Sequence, residues 1–346
     1  MQNRVISKKD LAVFVDELIK SRAAGEVVGI KAQGNKYNFG PLKSATELRL
    51  DYDVSLLPPK KYFFPARETV LKYEVGKTPK VEPVVEEKKL CLIGVHPYDI
   101  RGILLFDAVY GGNAPDPNYF LKRNDAVIIG MDCLKPNPKA FAGSLGTAVV
   151  DDGFDLMLTD LGDTYYVTVG TTRGNNLLNK HAKNVKDAST GDLEKRDKIR
   201  KDAQQEYRVS LKMKPQEIPA LLDASWESKI FHDKSAACLS CGSCVMVCPT
   251  CVCFDVQDDM SLNLKEGDRY RQWDACMLPE FAKVASGENF REHKEQRFRH
   301  RMYRKGKYLV ERYKNPGCVG CGRCATACLA EIASPAETYN LLKEAR

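Results

Sequence analysis

Eight cysteines fall into two near-copies of one pattern, Cys238-x2-Cys241-x2-Cys244-x3-Cys248-Pro249 and Cys318-x2-Cys321-x2-Cys324-x3-Cys328. Thiolates at this spacing suit iron–sulfur cubes. Three cysteines on a short loop reach three corners of one 4Fe-4S cluster, and the fourth, set off by three residues, crosses to the other. Each cassette therefore needs its twin. On that rule Cys238, Cys241, Cys244 and Cys328 hold cluster 1, and Cys318, Cys321, Cys324 and Cys248 hold cluster 2. Gly242, Gly320 and Gly322 offer no side chain to keep backbone amides away from cluster sulfides, so tuning of the clusters is expected there.

Two other uses of such cysteines fit less well. Zinc sites take ligand pairs across a longer spacer, a form that neither cassette has. A disulfide framework calls for an oxidising compartment. Residues 1–10 contain neither the apolar stretch nor the cleavage site of a secretory signal. The expectation is a cytoplasmic protein whose thiols stay reduced and open to iron.

Three more cysteines, Cys251, Cys253 and Cys276, are surplus to two cubes. They form a candidate third iron–sulfur site, with Cys133 or Asp255 considered as the fourth ligand. Cys251-x-Cys253 puts both side chains on one face of an extended strand, which suits joint ligation. The alternative is that all three are small buried hydrophobes packed against the clusters. Residues 288–314 then carry ten Lys or Arg against four Glu, with five aromatics between them. Such an arm is either a solvated basic helix or a cover over the anionic clusters that favours their reduced state.

The elements that must position these residues divide the chain. Eleven of thirteen cysteines lie at or beyond Cys238. Residues 1–225 read as a mixed α/β domain for partner docking. Residues 226–346 read as a two-cluster, ferredoxin-like domain with an inserted segment at 250–317, making the fold class α+β. Ser7 caps an amphipathic helix over 8–21 with Leu11, Phe14, Val15 and Leu18 on one face. Apolar runs at 90–95 and 126–131 read as buried strands, and alternation on either side of Asp160–Asp163 reads as a hairpin. Residues 175–214 are rich in charge and fit solvated helices.

Composition narrows the function further. At 346 residues the chain is long enough for about two domains, and 43% hydrophobic with 29% charged residues is ordinary for a globular protein. No apolar run approaches the roughly 18 residues of a membrane span, so no direct membrane insertion is expected. The net charge of +7 raises the question of nucleic acid, yet no nucleic-acid motif accompanies it and anionic clusters would offset it. There is no G-x-G-x-x-G and no P-loop signature, so no Rossmann site for NAD(P) or FAD is expected in this chain.

The run from Cys238 to Asp255, the step Arg271-Gln-Trp-Asp-Ala-Cys276 and the run His300 to Tyr308 resemble the beta subunit of archaeal sulfhydrogenases and the iron–sulfur electron-transfer subunit of anaerobic sulfite reductase. In the front half Leu57 to Pro65, Gly94 to Asp99 and Ile128 to Cys133 extend the likeness over most of the chain. The resemblance implies an electron carrier between an NAD(P)H-linked flavoprotein and a terminal redox partner of hydrogenase, sulfite reductase or heterodisulfide reductase type, with FAD and NAD(P) on the partner subunit. It implies a non-catalytic component of an oxidoreductase complex in anaerobic metabolism, in place of a stand-alone enzyme. Two departures stand out. Members of the family often have cysteine where this chain has Tyr98, and the second cassette ends in Cys328-Leu329 in place of Cys-Pro. The competing readings are a catalytic site of the front domain's own around His96, Asp99 and Asp132, and a purely structural iron–sulfur scaffold.

Overall fold

Long apolar runs with no polar alternation must be covered on both faces, and they set the centre of the fold. The computed structural model describes residues 2–346. Ten strands come from the front half: β1 (Arg4–Ser7), β2 (Glu26–Gln33), β3 (Lys36–Pro41), β4 (Arg67–Glu74), β5 (Lys80–Pro83), β6 (Leu90–Val95), β7 (Val127–Met131), β8 (Leu156–Asp160), β9 (Thr164–Val169) and β10 (Lys186–Asp187). Two more, β11 (Phe254–Met260) and β12 (Glu266–Trp273), come from the segment between the cassettes.

Eight strands form one sheet in the order β10-β1-β9-β8-β7-β6-β2-β3. Its centre, β2-β6-β7-β8, is parallel, and every residue of β6 and β7 is buried. Helix Lys8–Ser21 covers one face through Leu11, Phe14, Val15 and Leu18, as its spacing predicts, with Ser7 Oγ accepting from Asp10 N at 3.0 Å. Each such side chain contributes roughly 1.5–3 kcal/mol relative to exposure. Helix Pro97–Tyr110 covers the other face with Ile100, Ile103 and Phe106, packed beside Phe63, Phe64 and Tyr119.

The predicted hairpin is β8-β9, in register from Leu156 opposite Val169 to Asp160 opposite Tyr165. Asp160 accepts from Gly162 N in the turn, where Gly162 has φ +103°. The charged stretch contains helix Thr190–Gln205, which buries no residue and is capped by a Ser189–Asp192 box. Among the described residues no helix is long and apolar enough to cross a membrane.

A second sheet, β11-β12-β4-β5, is antiparallel throughout. β12 pairs with β4 from Gln272 opposite Arg67 to Glu266 opposite Glu74. The ladder therefore crosses the division expected at 225/226, because the inserted segment adds a hairpin to strands of the front half. Trp273 locks the junction: its backbone N–H donates to Ala66 O at 2.8 Å and its indole N–H to Phe64 O at 3.0 Å.

Candidate functional site

Each cassette is a loop that ends in one helical turn. Gly242 at φ +72° leads into Ser243–Met246, and Gly322 at φ +80° leads into Arg323–Ala327. The two turns pack against each other. One cavity in the back half is lined by Cys238, Cys241, Cys244 and Cys328, together with Phe298 and Arg301. Cys328 thus leaves its own cassette and joins the first. Cys248 does the reverse: its charge acts on Cys318, Cys321 and Cys324, which also feel one another. Burial pushes the Cys244 thiol up to about 11 and the Cys321 thiol up to about 12. Thiols raised by burial become thiolates only where a cation or a metal neutralises them. A four-iron cube would meet that need, and the four cysteines of each group fit one.

The second cassette sits beyond the carboxyl ends of β6 and β7, where parallel sheets commonly hold a ligand. Its Arg323 grips Asp99 with two bonds of 2.6 and 2.7 Å, and also donates to the Ser55 carbonyl and hydroxyl. Gly320 O accepts from Phe141 N at 2.7 Å, and Val319 O accepts from Thr147 Oγ1 at 2.8 Å. The glycines have a reason that sequence alone did not supply. A Cβ on Gly320 would lie 2.6 Å from Ala142 N, and one on Gly322 would lie 2.8 Å from Ala140 N. They permit the cassette to lie flat on the front half, and both have positive φ.

Buried cations surround the cysteines. Lys305 donates to Cys248 Sγ at 3.2 Å and to Thr250 Oγ1 at 2.7 Å. Lys60, from the front half, donates to the Cys251 carbonyl at 2.9 Å and lies 4.3 Å from the centre of the Trp273 ring. Arg301 lines the cavity of the first four cysteines and acts on Cys244 and Cys324. Among the described residues none of these three pairs with a carboxylate. A buried charge without a partner is costly, so the donor set calls for an anion in this region. Sequence reading located the basic arm that holds Arg301 and Lys305 without singling them out, and missed Lys60, since a charged residue facing inward looks the same in sequence as one facing water.

Residues 237–332 match the 4Fe-4S dicluster domain family. Over 333 residues, 96% of each chain, the sequence is 36% identical to sulfhydrogenase 2 subunit beta of Pyrococcus furiosus. The chain belongs to the sulfhydrogenase beta-subunit family. The match to this sulfhydrogenase subunit spans both sheets and both cassettes, so the likeness seen in short runs of residues holds along the chain.

In this sulfhydrogenase-type chain the three surplus cysteines do come together. Cys251 donates to Cys248, which holds the Cys248 thiol well below its usual value with help from Lys305, Thr250 and Lys60. Cys276 donates to Cys253, which draws the Cys253 thiol down to about 6 against the lift from burial. The two expected fourth ligands are not brought to them. Cys133 packs with Tyr98, Ala142, Val319 and Cys321 at the edge of the second cassette. Asp255 turns its carboxylate to Val256 N at 2.9 Å and Gln257 at 2.8 Å. The cassette thiol that Cys251 reaches is Cys248, across a turn in which Cys251 N donates to Cys248 O. Among the described residues no three His, Cys, Asp or Glu side chains are close enough to share a single metal ion.

The front-half residues considered for catalysis are bound up in the fold. His96 is buried, stacked on Tyr52 at 4.0 Å, with its ring nitrogens 2.9 Å from Met131 O and 3.3 Å from Tyr52 O. Burial lowers its pKa, so the ring is neutral at pH 7. Asp99 is committed to Arg323, and Asp132 accepts from Thr159 Oγ1 and Arg200 Nε. Tyr98 donates to Asp53 O at 3.0 Å and stands beside Cys133.

Proposed function

We propose that the chain relays electrons, one at a time, through two 4Fe-4S clusters inside a multisubunit oxidoreductase. The observation that carries this reading is the exchange of Cys328 and Cys248 between the cassettes, in a region where buried cations have no carboxylate partner. Bound clusters supply reversible one-electron chemistry across a wide range of potentials. The chain's own residues do the rest. Cys238, Cys241, Cys244 and Cys328 are the ligands of one cluster, and Cys318, Cys321, Cys324 and Cys248 of the other. Asp99, Ser55 and Thr147 fix the second cassette to the rigid end of the parallel sheet, so the separation between the two centres is held constant. Exposed Cys241, with Leu239 and Leu329 beside it, makes the first centre the one nearer to solvent.

Its two redox partners are a flavoprotein subunit that exchanges electrons with the NAD(P)H/NAD(P)+ couple and a terminal redox subunit, in a cytoplasmic complex. Protein purified without oxygen is expected to be brown, with iron and acid-labile sulfide near eight per chain or above. Colourless, zinc-loaded protein is the result that sinks the reading. Bleaching by NAD(P)H only after a flavoprotein partner is added supports the relay, whereas bleaching of the isolated chain points to a catalytic site of its own.

One observation favours a third iron–sulfur site: Cys251, Cys253 and Cys276 lie together next to Cys248, with Lys60 and Lys305 at hand. Iron near twelve per chain, falling by about four in Cys276→Ala, supports it. Iron near eight, unchanged in that variant, removes it and leaves the three as packing residues.

A further inference from the structure

Arg297, Arg301 and Lys305 recur at every fourth position, so they share one face of helix Lys294–Tyr303 and of the π-turn Arg304–Tyr308 that continues it. That face points inward, and the three are 3%, 2% and 3% exposed. Arg297 is engaged: it donates to Ser240 Oγ at 3.1 Å and to the carbonyls of Arg291 and Glu292. Lys305 is engaged with Cys248 and Thr250. Arg297 leaves one donor, Nε, without an acceptor, and Arg301 leaves two. Nη2 donates to Ala333 O at 3.1 Å, while Nε and Nη1 are buried and have no acceptor.

The position of Arg301 gives those free donors a direction. Its side chain lines the cavity of Cys238, Cys241, Cys244 and Cys328. Its charge also acts on Cys324, which belongs to the other group. The guanidinium therefore stands between the two groups of four. Lys305 reaches Cys248 and acts on Cys318 and on the surplus Cys251, so of the two groups of four it bears on the second. A guanidinium stays charged at any accessible pH, and a fork of N–H groups can serve acceptors on two sides at once.

We infer that Arg301 is a positioning residue shared by both clusters: its free N–H groups donate to sulfur on either side, and its charge raises the two reduction potentials together. Lys305 raises only the potential of the second. The inference rests on the cassettes being cluster ligands, and the test separates the two ideas. Iron near zero in the wild-type protein overturns the ligand reading itself. With loaded protein in hand, full-length wild type, Arg301→Gln, Arg301→Lys and Lys305→Gln are titrated with dithionite and followed by electron paramagnetic resonance. The signal of the first centre is identified by its loss or conversion in Cys244→Ala.

Arg301→Gln is expected to lower both midpoints, each by at least a tenfold change in the reduction equilibrium, about 59 mV for one electron. Lys305→Gln is expected to lower the second midpoint only. If Arg301→Gln yields too little loaded protein, Arg301→Lys decides: it keeps the charge but not the fork, so both midpoints should fall by less. Movement of one midpoint or of neither in the Arg301 variant measured overturns the proposal. So does an equal fall of both midpoints in Lys305→Gln.

Discussion

Replacing Asp99 by Ala removes the carboxylate that grips Arg323 through bonds of 2.6 and 2.7 Å and leaves a fully buried guanidinium with only Ser55 to accept from it. Breaking such a pair from one side costs about 3–5 kcal/mol, because the surviving charge has been taken out of water without compensation. For a chain of 346 residues the unfolding entropy is about 0.7 kcal/mol per degree, so the melting temperature should fall by about 4–7 °C. The double variant Asp99→Leu with Arg323→Met replaces both charges by apolar groups and should recover most of that loss. Thermal unfolding of the protein purified without oxygen, followed by far-ultraviolet circular dichroism and by visible absorbance in parallel, reads both effects. Absorbance should be lost at or below the temperature at which helix signal is lost, since Arg323 sits between Cys321 and Cys324 of the second cassette. An Asp99→Ala protein that melts within about 1 °C of wild type would falsify the view that this pair holds the cassette to the sheet.

Four further outcomes follow from the same geometry. Cys244→Ala should reduce iron by about four per chain or convert one centre to a three-iron form, seen in iron analysis and in the paramagnetic spectrum. Cys133→Ala should leave iron content unchanged, because Cys133 packs with Tyr98 and Cys321 away from the surplus cysteines; a loss of about four irons per chain would contradict that placement. Gly320→Ala must accommodate a Cβ 2.6 Å from Ala142 N at a φ of +65°, and its melting temperature should drop more than that of Gly34→Ala, which also has positive φ but faces open space. Removing iron with a chelator should leave Arg301, Lys60 and Lys305 without counter-ions. Hydrogen exchange should then speed up throughout the cassette region while β6 and β7 stay protected.

The pattern of the two cassettes set, with no other information, the expectation that eight thiols belong together and divide into two groups of four. Ligation of an inorganic cube is a local demand, and the spacing of cysteines on a short loop records it directly. The same holds for helix Lys8–Ser21, the buried strands β6 and β7 and the hairpin β8-β9, whose periodicity is a property of neighbouring residues. Tertiary structure decided everything that depends on distant segments meeting. The segment between the cassettes returns to the front half to extend β4 and β5, and nothing in strands as charged as β11 and β12 specifies that partner. Arg301, Lys305 and Lys60 are indistinguishable in sequence from the other lysines and arginines, because only burial separates a solvated charge from one that must answer an anion. Cys133 and Cys251 are likewise the same residue type, and it is the turn after Pro249 and the end of β7 that send one to Cys248 and the other to Tyr98.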